Sequence, residues 1–189
     1  MKKIKRLIGF VFLFTLLAFG VTSCGNNQTP TTTKTSEIVK NGKNVYFAGP
    51  MFNYEEKSFN LRLTNLLEEF GYKVFLPQRD GIEAALLEGK TEQELIDMIF
   101  PLDVQNVLNA DIIFMNCDGR VPDEGACVEL GIGYNAGKRC YGFKTDTRSV
   151  EKEMNLNPMI AGAMIKIFKN YDGDALVTEI REYLTNNIL

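Results

Sequence analysis

The chain contains no histidine and no tryptophan. Acid–base or nucleophilic chemistry must therefore come from Asp, Glu, Tyr, Cys or Lys, and the imidazole-based triads and zinc sites are excluded. The stretch best suited to such chemistry runs from Asp118 to Gly133 (DGRVPDEGACVELGIG), an acidic, glycine-broken loop leading into a helix. On that helix Gly125, Glu129, Ile132, Gly133 and Ala136 recur at helical spacing and share one face. Glu129 then stands one turn inside the helix N-terminus, in a stripe of mostly small residues, where the helix dipole favours its charged form. A carboxylate on such a face must be paired, solvated by a cleft or used. The plainer alternative is a solvent-facing Glu with small neighbours. Asp123 can be the N-cap of the same helix, and Asp118-Gly119 a turn. Asp103 and Tyr46 also have ordinary readings, as a surface charge and as strand packing. Cys117, Cys127 and Cys140 read as small buried hydrophobes, because no histidine is present to activate a thiol. No acidic cluster at ligand spacing calls for a metal, and no cofactor is expected.

The elements that must position these groups are legible as alternation. Compact apolar runs at residues 44–48, 73–76, 111–116, 139–143 and 165–168 lack polar alternation, as strands covered on both faces do. Helical patterns separate them. One spans 55–70 and is closed by Gly71; a second opens on the capping box Thr91-Glu92-Gln93-Glu94 and extends to Asn109 with an interruption at Pro101. A third covers 124–136, with Gly137 as its cap, and a fourth covers 172–187. Strand–helix alternation with right-handed crossovers predicts an α/β fold: a doubly wound, flavodoxin-like, five-stranded parallel sheet with helices on both faces. In such a sheet ligands sit beyond the carboxyl ends of the strands. Three polar or glycine-bearing loops leave those ends, at Gly49-Pro50-Met51, at Pro77 to Gly81 and at Cys117 to Gly125.

The 189 residues suffice for one domain with a full core. The first 23 hold Lys2, Lys3, Lys5 and Arg6 and no acid, so the remainder carries 17 of the 21 basic side chains against 24 acidic ones, a balance of −7. Such a domain has no basic stripe with which to hold nucleic acid; a small neutral or cationic substrate fits it better. Residues 8–21 form an uncharged apolar run too short for a spanning helix. The run ends in Val21-Thr22-Ser23-Cys24, which resembles a bacterial lipoprotein lipobox. The expectation is a signal peptide over 1–23, a lipidated Cys24 and a flexible, Asn- and Thr-rich tether over 24–43. That makes an exported domain over 44–189, anchored by lipid to a bacterial membrane and facing the periplasm or the exterior.

Several segments together resemble the nucleoside 2-deoxyribosyltransferase family. They are Val45-Tyr46-Phe47-Ala48-Gly49-Pro50, the Asp103 helix leading to Asn109-Ala110-Asp111-Ile112-Ile113, Asp118-Gly119 with Asp123-Glu124-Gly125 and Glu129-Leu130-Gly131, and Asn157-Pro158-Met159-Ile160. The resemblance implies that Glu129 is the nucleophile at the anomeric carbon, that Tyr46 positions it, and that Asp103 passes a proton to the leaving base. It further implies that Asp123 binds the sugar or helps in base exchange, that Asn157 reaches a sugar hydroxyl from a neighbouring subunit of a homo-oligomer, and that Gln78 contacts the base. The implied activity is transfer of 2-deoxyribose between nucleobases, with retention, through a covalent deoxyribosyl-Glu intermediate. The same scaffold could instead hydrolyse a deoxynucleoside or its 5′-monophosphate. For a phosphate, Arg79, Arg120 and the segment from Lys144 to Arg148 are the cations on offer. A surface-tethered module that binds nucleosides without turnover is the third reading; it would leave Glu129 dispensable.

Overall fold

The computed structural model describes residues 42–149 and 154–189. The expected signal peptide and Cys24 lie outside these residues, as does the expected tether up to Asn41. Among the described residues no helix is long and apolar enough to cross a membrane. Five parallel strands form one sheet: β1 (Asn44–Ala48), β2 (Lys73–Phe75), β3 (Ile112–Asn116), β4 (Arg139–Lys144) and β5 (Lys166–Lys169), in the order β2-β1-β3-β4-β5. This is the expected flavodoxin-like arrangement. The switch in strand order falls between β1 and β3, close to where Tyr46 of β1 meets Glu129.

The pleat sorts each strand between two cores. Val45 and Phe47 of β1, Ile112 and Phe114 of β3, and Tyr141 and Phe143 of β4 pack under α1 (Tyr54–Glu69) and α7 (Gly173–Asn186). Tyr46, Ala48, Ile113, Met115 and Cys140 face the other way, under α4 (Glu92–Asn109) and α5 (Glu124–Asn135). All of β3 is buried, as a central strand covered on both faces should be.

The helix starts follow side-chain chemistry. Thr91 and Glu94 form the expected capping box of α4, and Asn53 with Glu56 forms a second one at α1. The expected interruption at Pro101 does not occur, and α4 runs unbroken from Glu92 to Asn109. Pro101 and Asp97 are both exposed, so the carbonyl that loses its donor is left to solvent while Val107 anchors the helix. Three short helices were not foreseen: α2 (Pro77–Asp80), α3 (Ala84–Leu87) and α6 (Pro158–Gly162). Each spans only four or five residues, too few to show a helical period in sequence.

Candidate active site

Tyr46 reaches the α4/α5 face because it alternates with Val45 and Phe47. It is fully buried, with its ring stacked on Phe75 at 5.6 Å between centroids. Its hydroxyl donates to Oε1 of Glu129 at 2.7 Å. Glu129 comes close enough because α5 lies directly against the sheet. A Cβ on Gly133 would fall 2.4 Å from Cγ1 of Ile113, so only glycine permits this approach. Asp103 arrives from α4 and lies near enough for the Tyr46 hydroxyl to act on its protonation. A hydroxyl has one proton, so it can donate to only one of the two carboxylates at a time.

Burial governs the protonation of this group. Desolvation lifts Glu129 to about 7; the Tyr46 hydrogen bond opposes the rise, and the charges of Asp103 and Asp123 add to it. Burial also raises Asp103, against the pull of the same hydroxyl. Tyr46 is pushed far up, first by burial and then by Glu129 and Asp103, so it remains a protonated donor. The cluster thus holds two carboxylates that keep their protons more tightly than free ones do, Glu129 up to about 7, and one fixed donor.

Two grooves meet at Asp103. One, of about 470 Å³, runs between α4 and α5 and is lined by Ile99, Phe100, Val104, Gly125, Asp103 and Glu129. The other, of about 530 Å³, is lined by Met51, Gln78, Ile82, Leu102 and Asp103. A third space of about 610 Å³ adjoins the acidic loop and includes Asp118, Asp123, Glu124 and Arg148. Asp123 caps α5, accepting from Ala126 N at 2.8 Å, and still lines this space and bears on Glu129. Helix cap and cleft-lining carboxylate are therefore one residue. Asn157 stands apart: it caps α6, accepting from Met159 N at 2.9 Å, and lines neither groove that meets at Asp103.

The remaining polar groups of the loops are tied to one another. Asp118 accepts from Thr145 N, Thr145 Oγ1 and Asp146 N. Lys144, buried at the end of β4, donates to the carbonyls of Cys117 at 3.1 Å and Gly119 at 3.0 Å. Deeper, Asn116 Nδ2 donates to Asn60 Oδ1 at 2.9 Å, and Asn60 Nδ2 donates to Pro50 O at 2.8 Å and to Gln78 Oε1 at 3.3 Å. This chain joins the loops after β1, β2 and β3 and was not read from the sequence. Its signal there was Asn60, a polar residue at helical spacing with Leu63 and Leu67 on a core-facing stripe. Of the cations offered for a phosphate, Arg79 holds Glu68 and Asp80, Lys144 holds two loop carbonyls and Arg148 holds Asp146, while Arg120 is exposed.

A family model described as nucleoside 2-deoxyribosyltransferase matches residues 45–182, most of the chain. The chain belongs to the nucleoside 2-deoxyribosyltransferase family. Solved structures agree with that membership. A 2-deoxyribosyltransferase from Bacillus psychrosaccharolyticus is 25% identical, with 74% of this chain and 91% of that one covered and a TM-score of 0.59. A conserved protein from Enterococcus faecalis is 21% identical over 75% of this chain and 98% of its own, with a TM-score of 0.58. A CMP N-glycosidase from Clostridium botulinum shares the fold at 16% identity and TM-score 0.52, over 75% of this chain and 99% of that one. No curated protein sequence matches significantly. Membership makes this an α/β enzyme family acting on nucleosides, and the carboxylate pair lies in the matched region.

Proposed function

We propose that the protein transfers 2-deoxyribose from a deoxynucleoside to a free nucleobase through a deoxyribosyl ester on Glu129. The observation that carries this reading is the 2.7 Å bond from Tyr46 to Oε1 of a half-buried Glu129. It fixes one carboxylate oxygen and leaves Oε2 to attack C1′. As the Oε2–C1′ bond forms, the C1′–N bond breaks, and protonated Asp103 gives its proton to the departing nitrogen. A second base then attacks C1′ from the vacated side, its proton passes to Asp103, and Glu129 leaves, so the configuration is retained. The sugar lies over Glu129 with its 5′ end toward Asp123, and the base lies between Asp103 and Gln78. Water in place of the second base gives hydrolysis, the second outcome of the same intermediate.

Unphosphorylated nucleosides are the substrates we favour. The space beside Asp123 is lined by Glu55, Glu56, Asp118, Glu124 and Asp146, and its Arg148 is already paired with Asp146. A 5′-phosphate there would meet like charges. The expected placement of Asn157 in a neighbouring subunit's site and the lipid anchor at Cys24 complete the proposal. Incubating the protein with a deoxynucleoside, with and without a second base, distinguishes the outcomes by chromatography. A new nucleoside supports transfer; free base with free sugar alone indicates a hydrolase, and unchanged substrate indicates a binding module. Acyl labelling of the full chain should disappear in Cys24→Ala, and labelling that persists would overturn the anchor.

A further inference from the structure

We propose that Asn60 is a positioning residue that, together with the Lys57 carbonyl, locks the donor–acceptor polarity with which Gln78 meets the nucleobase; this rests on the transfer reading above. A glutamine amide is nearly symmetric in shape, so its partners decide which end carries the donor. Here backbone groups of fixed polarity decide it. Pro50 O can only accept, so the Asn60 group facing it, at 2.8 Å, is the amide nitrogen. Asp118 N can only donate, at 2.9 Å to Asn116 Oδ1, which turns Asn116 Nδ2 toward Asn60 Oδ1. The two ends of the chain agree on one orientation of Asn60.

Asn60 passes that orientation on. Its Nδ2 donates to Gln78 Oε1 at 3.3 Å, while Gln78 Nε2 donates to Lys57 O at 2.8 Å. One lone pair of Oε1 and one hydrogen of Nε2 remain, on a side chain lining the same groove as Asp103. Gln78 therefore presents a preset acceptor–donor pair, suited to a base edge carrying a neighbouring donor and acceptor. Asn60 is 1% exposed and on α1, outside reach of the base itself. It acts only through Gln78.

The test is a double-mutant cycle with Asn60→Ser and Gln78→Ala, measuring KM for the acceptor base and kcat at saturation. In the wild-type background Asn60→Ser should raise KM about tenfold while kcat falls by less than about twofold, the scale of one lost hydrogen-bond constraint. In the Gln78→Ala background it should add nothing to KM. Asn116→Ser, one step back along the chain, should give a smaller rise in the same direction, and it serves if Asn60→Ser fails to fold. Equal KM rises in both backgrounds, or a fall in kcat at unchanged KM, would show a merely structural role and overturn the inference. A wild-type protein that performs no transfer overturns the functional reading itself, and this inference with it.

Discussion

Two sets of carboxylates stand at the same end of the sheet and have been treated in opposite ways. Asp146 is bonded by Arg148 and held down to about 2, and its neighbour Asp118 accepts from two backbone amides and a threonine hydroxyl. Glu129 has the single Tyr46 donor and is lifted to about 7, and Asp103 is raised with it. The number of donors each carboxylate is given, against the depth to which it is buried, separates scaffold from chemistry. The acidic loop holds its shape through saturated charges. The pair on α4 and α5 is left under-served, which suits the reactive role proposed for it.

The comparison breaks most visibly at Glu129. Glu129→Ala should lower turnover by about three orders of magnitude or more while the circular dichroism spectrum is unchanged, since the nucleophile is removed without a structural tie. Near-normal turnover would end the mechanism. Next come two substitutions with opposite signs on the pH profile. The Tyr46 bond lowers the Glu129 pKa, so Tyr46→Phe should move the acid limb of kcat/KM to higher pH and cost roughly ten- to a hundredfold in rate. The Asp103 charge raises the Glu129 pKa, so Asp103→Asn should move that limb to lower pH while slowing transfer to poor leaving bases. Limbs shifting in the same direction would disprove the coupling.

Stability shows the same contrast with reversed sign. Glu129 holds its proton more tightly folded, at about 7, than unfolded near 4.5. The folded state binds the extra proton between those values, so stability from this group declines as pH rises through that window and stays low above it. Glu129→Gln should accordingly stabilise the protein by on the order of 2 kcal/mol at pH 8 and by little at pH 4, read as melting temperature. For the saturated carboxylate the expectation is the converse. Asp118→Ala should destabilise by about 1–2 kcal/mol, because buried or half-buried donors of Thr145 and Asp146 lose their acceptor, with a smaller effect on turnover than any change at Glu129.

Much of this was open to reading in the residues. The five strands, the four long helices and the doubly wound parallel sheet follow from apolar runs, caps and strand–helix alternation, signals that are local and repeat along the chain. Glu129, Tyr46 and Asp103 could be named, yet their contact depends on the strand pleat and on a helix-to-sheet distance, neither of which is written at any single position. Asn60 and Asn116 were passed over, and Lys144 was read only as a cation for phosphate, because a buried polar side chain looks like any other until its partners, from loops far apart in sequence, are in place. Pro101 misled in the other direction: a breaker in isolation is tolerated where solvent can serve the orphaned carbonyl.

The tight seat of Gly133 on Ile113 makes the spacing between α5 and the sheet sensitive to a single methyl group. Gly133→Ala would wedge α5 outward one helical turn from Glu129, withdrawing that carboxylate from Tyr46 while each helix keeps its own hydrogen bonds. Such a chain should work in the cold and fall silent on warming, well before its secondary structure melts, which makes this contact the natural place to build a conditional allele.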